Sequence, residues 1–281
     1  MCATLFWIGW CCFLETFRLK NIAILILLLL NAGLLVLIGS QRWQTRQAAS
    51  ETAQQLEALC AANQLMLDSR LQLSQQPLSS LAISRHGETE RVIASYLLGS
   101  SAVSSSQGGG IYSYSSEKGS IQFRSGGSFD GSRLEVGVDD IAGFSQKFCS
   151  EFGYRDMVMD VRGGSGSVTA VQEVAGVTVY GCTAALYFAE GVLTGVTGSH
   201  VSLENAGVES TGRIDCVTAL VRFLDYRNAT GIVCSEVTDI RCVYLLQSTA
   251  ATVRLLPVWR IETDTNPYFV DCTTGAVSRA E

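Results

Sequence analysis

Basic charge is scarce in this sequence. Only three lysines occur, Lys20, Lys118 and Lys147, and the formal net charge is −6. No basic run or aromatic–basic patch is present, so nucleic acid is excluded as a partner on electrostatic grounds. Histidine is scarcer still. His86 and His200 are the two, and neither stands in a metal-binding spacing such as HExxH. The chain has no CxxC, no Walker A loop and no GxGxxG, so neither a metal nor a cofactor is expected. Gly163-Gly164-Ser165-Gly166-Ser167 lacks the second glycine of a nucleophile elbow and reads as a hairpin turn. Asp139-Asp140 could serve as a catalytic pair, but such a pair more often starts a turn or caps the next helix. No catalytic residue is therefore assigned. A Ser-His-Asp or Cys-His site built from distant residues stays open, because such residues meet in space rather than in sequence.

What the chain has in abundance is apolar sequence. Its 281 residues are 47% hydrophobic, and part of that excess is concentrated in one place. Asn21 to Ser40 reads NIAILILLLLNAGLLVLIGS without a charge. About 20 apolar residues are what a helix needs to cross a bilayer core roughly 30 Å thick. This run is expected to be an uncleaved signal anchor. Met1–Leu14 is also apolar but too short to span comfortably; it reads as an interfacial segment, part of a signal, or a start site called too early. Arg18 and Lys20 flank one end of the run and Arg42 and Arg46 the other, so the positive-inside rule nearly ties. We read the N-terminus as cytoplasmic and the bulk of the chain as extracytoplasmic, in a single-pass protein of the cell membrane. Asn31 and Gly33 lie inside the run. Asparagine at that depth wants a hydrogen-bond partner and glycine permits close helix approach, so both are candidate contacts with another membrane helix. The alternative is that Asn31 bonds its own backbone. The sequon Asn228-Ala229-Thr230 has meaning only in a glycosylating secretory pathway.

Ten cysteines are present. The seven beyond the apolar run are Cys60, Cys149, Cys182, Cys216, Cys234, Cys242 and Cys272, an odd number at wide spacings that implies no disulfide framework. Cys234 and Cys242, read as lying in one strand region, would stand about 26 Å apart, too far to bridge. The simplest reading is cysteine as a small buried hydrophobe.

After the span, Gln44–Met66 reads as a helix. Ala49, Thr52, Leu56, Leu59, Asn63 and Met66 form a weak a/d seam. It is either a stalk that pairs with another helix, with Leu56 and Leu59 as its contacts, or an amphipathic helix lying on its own domain. Leu78–Ser84 reads as a strand and Glu88–Leu98 as a helix stopped by Gly99. Ser100–Gly110 reads as a flexible loop with no packing residues. Ile111–Tyr114 and Ile121–Phe123 flank Glu117-Lys118-Gly119 as a hairpin. Gly143–Tyr154 has helical spacing and Met157–Val161 is a strand. Val168–Tyr180 and Ala184–Thr197 are strand pairs around Gly181 and Gly191. A helix from Gly212 to Tyr226 precedes strands over Gly231–Leu246, Thr252–Thr263 and Tyr268–Val270. Pro257 is expected near a strand start or edge. A helix followed by a meander thus recurs three times. The fold expected is α+β: antiparallel sheets with packed helices behind a single membrane helix. The expected organisation is a short cytoplasmic segment (1–20), a membrane helix (21–40), a stalk helix (41–76) and two α+β subdomains (77–140 and 141–281), read as repeats of one another.

The C-terminal string is the most distinctive. Leu256-Pro257-Val258-Trp259-Arg260-Ile261-Glu262 is followed by Tyr268-Phe269-Val270-Asp271 and Thr274-Gly275-Ala276-Val277. It resembles the end of the YycI/YycH-type regulatory proteins of Gram-positive bacteria and, more loosely, PepSY-type modules. The span, the stalk, the YSSEKGSIQF hairpin, the LYFAEGVLTGVTG strand pair and the CSEVTDIRCVYLL strand agree with it, so the resemblance covers residues 15–281. The apolar Met1–Leu14 extension departs from the pattern. The resemblance implies a non-enzymatic regulator of an essential two-component sensor histidine kinase. Its partners would be that kinase, a related accessory membrane protein and the lipid bilayer, with contacts in both the membrane and the outer domain. A bitopic assembly or secretion-platform component and an extracytoplasmic enzyme are the alternative classes.

Overall fold

The computed structural model describes Leu27 and Asn31, residues 54–73, 75–249 and 252–280. The chain divides into two compact units, Met1–Ala58 and Leu59–Glu281. The expected cytoplasmic segment, and the expected span except for Leu27 and Asn31, lie outside the described residues, among which no helix is long and apolar enough to cross a membrane.

The described part of the chain is α+β. Its elements are helix α1 (54–62), β1 (Met66–Leu67), β2 (Ser79–Ile83), α2 (Gly87–Leu98), β3 (Val103–Gly108), β4 (Ile111–Ser116), β5 (Gly119–Arg124) and β6 (Ser128–Gly137). There follow α3 (Ile141–Phe152), β7 (Tyr154–Arg162), β8 (Ser165–Val174), β9 (Val177–Ala189), β10 (Val192–Ser199) and β11 (Gly207–Thr211). The C-terminal part is α4 (Cys216–Thr230), β12 (Glu236–Ser248), β13 (Val253–Thr263), β14 (Tyr268–Asp271) and β15 (Val277–Arg279). A helix leads four strands three times over: α2 before β3–β6, α3 before β7–β10, and α4 before β12–β15.

The first two groups share one sheet. Its order is β3-β4-β5-β6-β10-β9-β8-β7, with every neighbour antiparallel, so two four-stranded meanders meet edge to edge at β6 and β10. The division expected at residues 140 and 141 falls at the start of α3, and β6 pairs with β10 across it. One face of this sheet carries α2 and α3. Ile93, Leu97, Phe148, Phe152, Phe123, Phe129, Leu186 and Phe188 form its core. Tyr96 packs against Phe144, Phe148 and Phe152 with ring centroids 5.1–5.8 Å apart, and its hydroxyl donates to Phe144 O at 2.8 Å. Rings at these separations add about 0.5–1.5 kcal/mol per pair beyond their buried area.

The second sheet runs β11-β2-β13-β12-β9, with β14 and β15 added beside β13 and β1 pairing parallel with β12. Helix α4 packs on β13–β15, burying Ala219, Leu220, Phe223 and Leu224; Trp259 is 0% exposed and donates its indole N–H to Ile214 O at 2.8 Å. The two sheets are joined through β9, whose first residues pair parallel with β12 while its later ones pair with β10. Gly181 lies inside this strand at φ +80°, a left-handed conformation that only glycine adopts without strain. The sequence places a turn there; the chain instead continues through it as one 13-residue strand, with turns at Ala175-Gly176 and Glu190-Gly191.

Other expectations shift for local reasons. The helix read as continuing to Met66 ends at 62. Asn63 bonds back to Leu59 O through its side chain, Gln64 takes φ +55°, and Met66 enters a parallel pair with Glu236. The expected stalk helix therefore does not extend over 63–76. Ser100–Gly110 is not a loop: β3 forms there with every residue exposed, because the pairing to β4 uses backbone groups and asks nothing of the serine side chains. α4 begins at Cys216 rather than Gly212, because Asp215 accepts from Thr218 N and caps it. Pro257 sits in the middle of β13, not near an end. β2 pairs with Val253–Leu255 and β14 with Val258–Ile261, so Pro257 falls between the two partners. Its carbonyl accepts from Cys272 N at 3.0 Å, which places its missing N–H on that same gapped side, where no ladder bond is lost.

Candidate functional site

The two histidines meet at the start of α2, in a cleft lined by Arg85, His86, Thr89, Glu90, Phe123, Arg124, Gly127, His200 and Ser202 among others. The cleft holds about 30 Å³, room for a water or two. Three pieces of chain bring these side chains together: the β2–α2 connection, the β5–β6 turn and the loop after β10.

The loop after β10 is held from below by Gln172 of β8. This residue is 2% exposed; its amide donates to Val201 O and its oxygen accepts from Val201 N, both at 2.9 Å. The Cys182 thiol donates to the same Gln172 oxygen at 2.9 Å, and Tyr154 OH donates to Ser199 O at 2.6 Å. The clamp fixes the backbone on both sides of His200. His200 N in turn donates to Gly127 O, and a Cβ on Gly127 would lie 2.9 Å from His200 O, so only glycine permits this approach. The His200 ring rests against Phe152 and Tyr154. Burial pushes its pKa down to about 4, against a raising hydrogen bond to the Phe152 backbone. The ring is thus neutral near pH 7.

His86 stands at the N-cap position of α2. Its Nδ1 lies 2.7 Å from Thr89 Oγ1 and its Nε2 2.7 Å from Glu204 Oε2. Arg85 grips Glu90 with two parallel hydrogen bonds and lays its guanidinium 3.3 Å from the centroid of the Tyr112 ring. Burial raises the Glu90 pKa, and the Arg85 guanidinium opposes that shift. Arg124 pairs with Asp130. The hydroxyl–imidazole–carboxylate line of Thr89, His86 and Glu204 has the spacing of a proton relay. Glu204 is 67% exposed, however, and the cleft is too small for an organic substrate. What the arrangement does physically is latch the start of α2 to the loop after β10.

Sequence reasoning singled out both histidines but missed Arg85, Thr89, Glu90, Gln172 and Glu204. For Glu90 the signal was its position four residues after His86, on one helix face. Gln172 and Glu204 carry no local signal. Asp140 is not part of the cleft: its carboxylate accepts from Gly143 N at 3.0 Å and caps α3. Of the residues expected to bind a partner, Asn31 donates its amide to Leu27 O at 2.9 Å, the backbone bond named as the alternative to a helix contact. Gly33 lies outside the described residues. Leu56 is 3% exposed, whereas Leu59 is 42% exposed.

No protein-family model matches the chain, and no curated protein matches it. Among solved structures it is similar to the crystal structure of an uncharacterized protein from Eubacterium rectale ATCC 33656. The TM-score is 0.43 at 13% identity, over 78% of this chain and 91% of that one.

Proposed function

We propose that the chain is a membrane-anchored, non-enzymatic regulator that acts by contact, with a two-component sensor histidine kinase as its partner. The observation that carries the first part is the uncharged apolar run Asn21–Ser40 ahead of a domain built as layered helices and antiparallel sheets. The kinase as partner, and a related accessory membrane protein beside it, rest on the resemblance of the C-terminal string. In this reading the domain is extracytoplasmic and its two subdomains, 77–140 and 141–281, are repeats of one another. A regulator of this kind works by binding one state of its partner more tightly than the other, since a ligand moves an equilibrium only by its differential affinity. Leu59, exposed on α1, and Asn31 with Gly33 in the apolar run are the contacts we assign. Leu56 would take part only if released from its buried position.

The test is to cross-link tagged protein in native membranes, solubilise it in mild detergent and identify the copurifying proteins by mass spectrometry. A histidine kinase should be recovered, in reduced amount from an Asn31→Leu, Gly33→Leu variant. Recovery of secretion components, or of no membrane partner, would sink the kinase reading and leave the assembly-platform or the enzyme class. An extracytoplasmic enzyme is favoured by one observation, the Thr89–His86–Glu204 line. His86→Gln should leave the kinase-dependent phenotype intact under our reading and abolish activity under that one.

A further inference from the structure

Beneath the start of α4, two thiols from opposite sides of β13 meet. Cys242 lies on β12, opposite Trp259, and Cys272 follows β14 in a turn; their Sγ atoms are 3.7 Å apart. Neither is bonded to another cysteine. We propose that Cys242 and Cys272 form a redox-active dithiol pair that closes to an intrachain disulfide by exchange with an external disulfide.

The two sulfurs differ in a way that assigns their roles. Cys272 is 0% exposed, whereas Cys242 is only half-buried, so an incoming reagent meets Cys242 first. Either thiol can donate across this contact; with Cys272 as donor, the hydrogen bond holds the Cys242 pKa below its ordinary value against the opposing effect of burial. The same hydrogen bond, with burial, pushes Cys272 up. A thiolate on the more accessible sulfur is the arrangement an attacking cysteine needs.

The exchange balances in two steps. The Cys242 thiolate attacks one sulfur of the external disulfide, forming a mixed disulfide and releasing one thiolate. Cys272 then gives up its proton and attacks Cys242 Sγ, forming the intrachain bond and releasing the second thiolate. Two protein thiols lose two electrons and two protons, and the external disulfide is reduced to two thiols. A disulfide needs its sulfurs about 2.05 Å apart, so they must approach by roughly 1.7 Å. Cys242 is fixed in a ladder, so the turn at Cys272 has to supply the movement. Cys272 itself is tethered through its backbone, from Cys272 N to Pro257 O and from Arg213 N and Ile214 N to Cys272 O, while Asp271 Oδ1 accepts from Thr273 N and Thr274 N within the turn. Closing the bond would tie β12 to the turn after β14 across β13. The proposal is independent of which partner the protein binds.

The experiment uses the purified full chain in detergent, equilibrated with mixtures of glutathione disulfide and glutathione, quenched in acid, alkylated and mapped by proteolysis and mass spectrometry. The expected product is a peptide pair linked through Cys242 and Cys272, lost on treatment with dithiothreitol. In a Cys272→Ala variant the first step should stop halfway, leaving one glutathionyl adduct on Cys242. Both thiols staying alkylatable at every ratio would overturn the proposal, as would a bridge from Cys242 to Cys216 instead. Should Cys272→Ala fail to fold, the wild-type map still decides.

Discussion

The two sheets of this protein solve the burial problem differently. Among the described residues, the sheet of β3–β10 is covered on one face only. Along β9 beyond Gly181 the pattern alternates, with Cys182, Ala184, Leu186 and Phe188 inside and Thr183 and Tyr187 exposed. Its core is aromatic, drawn from α2, α3 and the strands beneath them. The sheet of β12–β15 is apolar on both faces through its middle. Trp259 and Ile261 point toward α4, while Val243, Val258 and Phe269 form a separate cluster on the other side. A strand buried on both faces loses the alternation that marks a half-buried one. The comparison teaches that the C-terminal sheet is the more demanding in packing and the first sheet the more tolerant of change.

Four tests bear on this contrast. Trp259→Ala should cost about 4–5 kcal/mol, because it opens a large cavity and orphans Ile214 O as well. Phe129→Ala in the first sheet should cost about 3 kcal/mol. Urea unfolding of the two variants compares them directly, and equal losses would erase the distinction. Acid acts next. Neutral His200 has a folded pKa of about 4 against an unfolded value near 6.5, so the stability it guards is fully present above the unfolded value and is lost as the pH falls toward 4. The loss is at most about 3 kcal/mol and should be visible by chemical denaturation at pH 7 and pH 4. His200→Phe should flatten that dependence. The helix caps rank third. Asp140→Ala on α3 and Asp215→Ala on α4 should each cost about 1 kcal/mol, and thermal melts that separated them widely would show that one helix depends on its cap and the other does not. Last, Thr169→Ala and Thr183→Ala on the water-facing side of the first sheet should shift stability by less than about 0.5 kcal/mol. A larger loss would mean that this face is covered in the working protein.

Much of the fold was legible because local chemistry marks it. The hairpin of β4 and β5 announces itself through Tyr112, Tyr114, Ile121 and Phe123 around Glu117-Lys118-Gly119. α3 shows its buried face in Phe148 and Phe152, although the spacing read on to Tyr154 is cut short by Gly153 at φ +72°. What stayed hidden depended on distant partners. β3 has no apolar pattern and exists because β4 offers it a backbone ladder. The interior position of Pro257 is allowed only because β2 and β14 leave a gap beside it. The candidate site followed the same rule: the histidines were visible as residues, but nothing in sequence says that Gln172 pins the backbone that carries one of them.

The sequence by itself determined the α+β class, the place of the apolar run and the positions of most helices and strands. These follow from hydrophobic periodicity and from glycine, proline and capping residues acting over a few positions. Only the tertiary structure decided that two meanders fuse into one sheet at β6 and β10, that β9 serves both sheets, and that His86 meets the His200 loop and Cys242 meets Cys272. The physical reason is that strand order and side-chain meetings are set by non-local backbone pairing, whose partners are chosen by the shape and burial of the whole domain rather than by any local run of residues.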